Sequence, residues 1–113
     1  MSIKSFNDFL TENTKECEFV FGRFNPPTHG QELLFDKLKN VARSNTYRIY
    51  TSKSMDAKKN PLDFKTKVKF LRKMFPKHAR SVMSDTDVRT VFDIVVKLYD
   101  QGFTKVTMVV GSD

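Results

Sequence analysis

The chain has 113 residues, a hydrophobic fraction of 39% that includes 11 Phe, and a formal net charge of +7. That length suits one small domain with a real but limited core. No apolar run approaches the length of a membrane span, the start lacks the apolar stretch of a secretory signal, and the single Cys17 excludes an intrachain disulfide and fits a reducing compartment.

Residues 1–15 form a polar lead-in with an amphipathic patch of Ile3, Phe6, Phe9 and Leu10. Residues 18–22 read as a buried strand. A loop with two glycines, two prolines and short polar residues follows at once, and a helical pattern runs over 30–43 with Leu34, Leu38, Val41 and Ala42 on one side. Residues 47–51 are rich in β-formers and predict a second strand. A basic loop leads to Pro61 and to a helix over 63–75, with Phe64, Val68, Leu71 and Phe75 on its apolar side and Pro76 as its stop. A short third strand is expected around 80–83. Ser84, Asp85 or Thr86 can cap the next helix, whose apolar positions are Val88, Val91, Phe92, Val95 and Leu98 and which Gly102 can end. Residues 105–110 predict a fourth strand.

Strands alternating with helices specify an α/β fold: a parallel sheet with helices on both faces. Ligands of such sheets bind beyond the carboxyl ends of the strands. Topology therefore brings the 22–31 loop, the 51–60 loop and the terminal Gly111-Ser112-Asp113 to one edge of the domain. A strand that feeds a tight turn and a helix start is also a generic anion site, because the first helical N–H groups lack intrahelical partners.

The charge is concentrated. Between Lys53 and Arg80 lie ten Lys or Arg against Asp56 and Asp63, a local +8, so the rest of the chain sums to −1. A basic segment after a phosphate-type loop suits a polyanion such as a nucleoside triphosphate. Most of these lysines read as a solvated helix face. Phe64, Phe70 and Phe75 fit core spacing rather than base stacking, so nucleic acid is the weaker partner expectation. His78 has no partner identifiable from sequence.

The string Gly22-Arg23-Phe24-Asn25-Pro26-Pro27-Thr28-His29-Gly30-Gln31 resembles the G-x-F-x-P-x-[HT]-x-G-H opening of the nucleotidyltransferase superfamily, which includes cytidylyltransferases and several adenylyltransferases. Gln31 stands where the second His belongs. Lys58-Lys59-Asn60-Pro61-Leu62 and the stretch 67–76 are similar to the second loop and helix of phage-encoded members, and Val109-Val110-Gly111-Ser112-Asp113 to the end of the family's fourth strand. The resemblance implies a Rossmann-like domain over residues 16–113. It implies transfer of AMP or CMP from a nucleoside triphosphate to a phosphorylated small molecule, with release of pyrophosphate.

The implied catalytic residues are Thr28, Gln31 and Lys59. The implied nucleotide and phosphate contacts are Gly22, Arg23, Phe24, Asn25, His29, Gly30, Lys58, Gly111 and Asp113. In these roles Gly22 and Gly30 let backbone approach phosphate, Thr28 donates its hydroxyl, Gln31 offers an N–H without charge, and Lys58 or Lys59 supplies a cation. Mg²⁺ is expected to enter on the phosphate oxygens, with no protein ligand set assigned. The family's fifth strand and its late I-S-x-T-x-x-R segment have no counterpart here. The domain is therefore expected to lack the family's C-terminal part and to present a sheet edge open to pairing or to homo-oligomerisation.

Ser5-Phe6-Asn7-Asp8-Phe9-Leu10-Thr11-Glu12 resembles the capsid-targeting peptides of large tailed bacteriophages. That resemblance implies cleavage after Glu12 by a prohead protease, packaging in the capsid interior, and synthesis in the host-cell cytoplasm. The alternative to an enzyme is a non-catalytic internal head protein that keeps a nucleotide-binding fold and binds nucleotide or DNA.

Overall fold

The computed structural model describes residues 15–24, 27–53 and 63–111. The strands β1 (Glu16–Gly22), β2 (Thr46–Thr51) and β3 (Lys105–Met108) form a parallel sheet in the order β2-β1-β3. The helices are α1 (Gln31–Ala42), α2 (Phe64–Met74) and α3 (Val91–Asp100), with a 3-10 helix at Pro76–Ser81. The chain is thus the expected α/β fold. The lead-in up to residue 14, with its cleavage position, lies outside the described residues.

β1 is central and is buried from both sides. Its Val20 packs with Phe35 and Leu38 of α1, Ile49 of β2, and Val68 and Leu71 of α2. Its Cys17 and Phe19 pack with Tyr50 of β2, Ile94 and Leu98 of α3, and Phe103. Alternate residues of one strand therefore seed two cores, and helices cover both faces. Covering on both faces explains the unbroken Phe19-Val20-Phe21 run, and it also buries Glu18, which lies on the Val20 face. Burial also pushes the Cys17 thiol up to about 11, away from thiolate chemistry.

The expected third strand contracts to a single bridge, Ile49↔Val82, with the Met83 N–H donating to the Ile49 carbonyl at 2.9 Å. The reason is Pro76, which opens the 3-10 helix and keeps the chain coiled to Ser81. The last helix starts later than expected. Its cap is Thr90 in a capping box with Asp93, not Ser84, Asp85 or Thr86. Gly102 does end it, with φ +96. The fourth predicted strand forms as β3, and Val109 N–H still reaches the Phe19 carbonyl at 2.8 Å.

Several apolar assignments move. In α1 Leu38 and Ala42 are buried as expected, and Phe35 joins them with edge contacts to Phe24 and Phe75, while Val41 is exposed. Phe70 and Phe92 are also exposed. His78, by contrast, is buried and bridges three elements. Its Nε2 lies 2.8 Å from Asp36 Oδ1 of α1, and its Nδ1 lies 2.9 Å from the Tyr47 hydroxyl of β2. When the Asp36 carboxylate accepts from Nε2–H of the neutral ring, Tyr47 donates to Nδ1. The hydrogen bond from His78 holds Asp36 below the usual carboxylate range.

Two expectations follow from this packing. Phe35→Ala should cost about 3–5 kcal/mol in urea unfolding, the scale for a fully buried aromatic, because it empties the centre of the Phe24–Phe35–Phe75 cluster. The second concerns acid. Asp63 accepts from Thr66 N–H at 2.8 Å, and Asp93 accepts from Arg89 and Thr90 N–H at 3.0 and 3.1 Å. Those bonds lower both acids' pKa values in the fold. A lowered folded value stabilises above the unfolded pKa and is lost as pH falls through the folded value. Thermal midpoints should therefore drop below about pH 4, and Asp63→Asn with Asp93→Asn should flatten that drop. An unchanged slope in the double variant would refute the assignment.

Candidate functional site

The carboxyl ends of β1 and β2 are held together past the last ladder pair, Gly22↔Thr51. Ser52 N–H donates to the Gly22 carbonyl at 2.8 Å, and the Thr51 hydroxyl donates to the Arg23 carbonyl at 3.3 Å. Beyond this clasp lies a cavity of about 740 Å³ lined by Phe21, Gly22, Arg23, Ser52, Lys53 and Arg89. Among the described residues its charged lining is cationic, and Ser52 supplies a hydroxyl. That set fits an anion of several charges and does not fit a bare divalent cation. Among the described residues no group of His, Cys, Asp or Glu is arranged to hold a metal.

Each cation has a structural reason for its place. Arg23 follows β1 directly, on a backbone that Phe24 then turns inward with φ +48. The Phe24 ring packs over Gly22, where an added Cβ would lie 2.8 Å from it. The glycine is therefore required by this inward packing. The Phe24 side chain itself lies in the core. Lys53 follows β2, with its ammonium 5.6 Å from the centre of the Phe64 ring. Arg89 sits between buried Val88 and the Thr90 cap. The preceding turn is tied to α3 by Lys97, which lies 3.0 Å from Asp85 and 2.7 Å from Asp87.

The turn before α1 is separate from this lining. Gly30 is the N-cap position of α1, with φ −60, so no left-handed backbone demands a glycine there. Thr28 and His29 are exposed, and their carbonyls accept from Gln31 and Glu32 N–H. The Gln31 side chain folds back, and its Oε1 accepts from Thr28 N–H at 2.8 Å. Its acceptor end is thereby used in holding the turn, which leaves the NH₂ as the end that can donate to a ligand. Gly30 and Gly111 line a smaller recess of about 300 Å³ with Leu33, Leu34, Lys37 and Val110. The expected convergence of three stretches is thus divided. The first two stretches meet in the cationic cavity, whereas Gly111 meets the α1 end of the first loop. Asn25, Lys58, Lys59 and Asp113 lie outside the described residues.

Sequence reading missed Ser52, Lys53 and Arg89 as site residues. Ser52 and Lys53 follow a predicted strand at its carboxyl end, which is the signal that could have found them. The apolar spacing from Val88 to Leu98 puts Arg89 inside a helix. The Thr90-x-x-Asp93 capping box marks it as a residue of the preceding turn.

No family model, no curated protein and no solved structure matches the chain.

Arg23→Ala and Arg89→Ala should each weaken binding of inorganic pyrophosphate by about tenfold, the scale of one charge-assisted contact. They should leave the thermal midpoint nearly unchanged, because Arg23 and Arg89 are exposed. Titration calorimetry of the two variants decides it, and equal affinity in both would remove them from the site.

Proposed function

We propose that this chain binds a nucleoside triphosphate and acts as a nucleotidyltransferase, passing AMP or CMP to a phosphorylated small molecule. The observation that carries the reading is the meeting of Gly22, Arg23, Ser52, Lys53 and Arg89 at the carboxyl ends of two adjacent parallel strands. That is where an open α/β sheet takes a nucleotide. The signature-like string from Gly22 to Gln31 supports the same chemistry.

In this reaction an oxygen of the acceptor phosphate bonds to the α-phosphorus, and the bond from that phosphorus to pyrophosphate breaks. The protein aligns the reactants and spreads the developing charge. Arg23, Lys53 and Arg89 neutralise phosphate oxygens and stabilise the departing pyrophosphate. Ser52 donates its hydroxyl, and Thr28 and the Gln31 amide offer donors at the start of α1. Mg²⁺ would arrive on the triphosphate and add charge neutralisation there.

One observation favours a second reading, a nucleotide-binding protein without catalysis. The Gln31 side chain is engaged with Thr28 N–H. It occupies the place of a histidine that could carry positive charge in the resembled enzymes.

Calorimetry with ATP and CTP in the presence of Mg²⁺, run beside a pyrophosphate-release assay over a panel of phosphorylated acceptors, separates the two. Micromolar binding with release from one acceptor is expected. Tight binding without release from any acceptor would establish the non-catalytic reading instead, and Gln31→His should then raise release.

A further inference from the structure

β3 is the last strand on its side of the sheet, so one of its edges has no neighbouring strand among the described residues. Lys105 N–H donates inward to the Lys15 carbonyl at 3.3 Å, and Val109 N–H donates to the Phe19 carbonyl at 2.8 Å. Main-chain groups alternate along a strand, so the N–H and C=O of Val106 and Met108 point away from β1. Among the described residues nothing meets them. An edge of this kind is a template for another strand unless charge, proline or a bulge guards it. β3 has no proline, and its one charged residue, Lys105, is paired with Glu16 at 3.4 Å.

A second feature lies over the same margin. Phe92, Val96 and Tyr99 recur at i, i+4 and i+7 along α3, and all three are exposed, Phe92 at 74%. The opposite flank of α3 faces β2. There Lys97 pairs with Asp85 and Asp87, which follow the bridge to β2, and Gln101 accepts from Arg48 of β2. Helical spacing sets the exposed stripe roughly half a turn from Lys97 and Gln101, so it stands on the β3 side. β3 is also the strand nearest to α3. Met108 pairs with Phe19 in register, shares its face with α3, and is exposed.

Open main-chain groups suit a polypeptide rather than a lipid or a small ligand. The charge distribution favours a second copy of this chain. Most of the basic segment sits on α2 and the 3-10 helix, which pack beside β2 at the far margin of the sheet. Two copies that meet at β3 therefore keep those cations apart. A two-fold axis beside β3 covers both features in one operation, because edge meets edge and stripe meets stripe. We propose that the protein forms a two-fold dimer through this margin. The β3 strands pair antiparallel and join two sheets into one, and Phe92, Val96 and Tyr99 of each copy pack across the axis. What the cationic cavity binds does not enter this inference.

Sedimentation velocity of the full chain over a concentration series should show a species of twice the chain mass. Phe92→Lys should weaken the dimer at least about thirtyfold, the scale of a buried aromatic anchor. Met108→Pro removes an outward N–H and no bond to β1, and it should weaken the dimer comparably. The Val106 and Met108 amides should resist hydrogen exchange in the dimer and exchange on dilution. Val96→Cys should give an intermolecular disulfide, since a residue near a two-fold axis meets its own copy, whereas buried Cys17 should give none in the parent. A chain that stays monomeric to millimolar concentration overturns the proposal, even where a different protein covers the stripe. A dimer indifferent to Phe92→Lys and Met108→Pro overturns it too, because its contact lies elsewhere. A dimer lost in Phe92→Lys whose parent leaves the Val106 and Met108 amides in free exchange overturns the strand pairing. Should Met108→Pro fail to fold, hydrogen exchange and the Val96→Cys disulfide decide, and free exchange with no disulfide is fatal.

Discussion

β1 is paired along both edges and packed on both faces. Its register with β2 runs from Cys17↔Thr46 to Gly22↔Thr51, and its register with β3 from Glu16↔Lys105 to Phe19↔Met108. Because side chains alternate, a slip of one residue would exchange Val20 with Phe19 between cores that are filled differently. The strand has no tolerance for that exchange. Its carboxyl end is fixed as a result, and so are the positions of Gly22 and Arg23 beside Ser52 and Lys53. Strand register sets the positions of the two strand ends, and the contacts of the lining build on it.

The cavity itself runs against electrostatic stability. Arg23, Lys53 and Arg89 line one space. Elsewhere several lysines are paired: Lys97 with Asp85 and Asp87, Lys105 with Glu16, and Lys77 with Asp36. The rigid clasp of Ser52 to Gly22 and of Thr51 to Arg23 supplies the preorganisation a ligand site requires.

Much of the fold was legible because its signals are local. The strand at 18–22, the helices beginning near 30 and 63, and the stop at Pro76 follow from apolar runs, caps and proline. The lost third strand was not legible, because Arg80 to Met83 has strand composition while Pro76 commits the preceding residues to a coil. Phe35 and Val41 could not be sorted by periodicity, since both border the apolar stripe of α1 and only the ring contacts with Phe24 and Phe75 choose between them. At the site, topology foretold the meeting of the first two loops. It did not reveal that Phe24 would turn inward, because a positive φ at a non-glycine residue has no sequence signature. Lys67 departs from the solvated face that most of these lysines form, because its spacing from Phe64 and Leu71 sets it on the inner arc.

The bridge at Val82 also decides how the sheet ends. Val82 N–H donates to the Ala79 carbonyl at 3.3 Å, and its own carbonyl accepts from the Arg72 guanidinium at 2.7 Å. Both main-chain groups that an adjoining strand would need there are committed to groups of this chain. At Val82 an adjoining strand would therefore have to compete with bonds this chain already makes, which blunts edge-to-edge association at that residue.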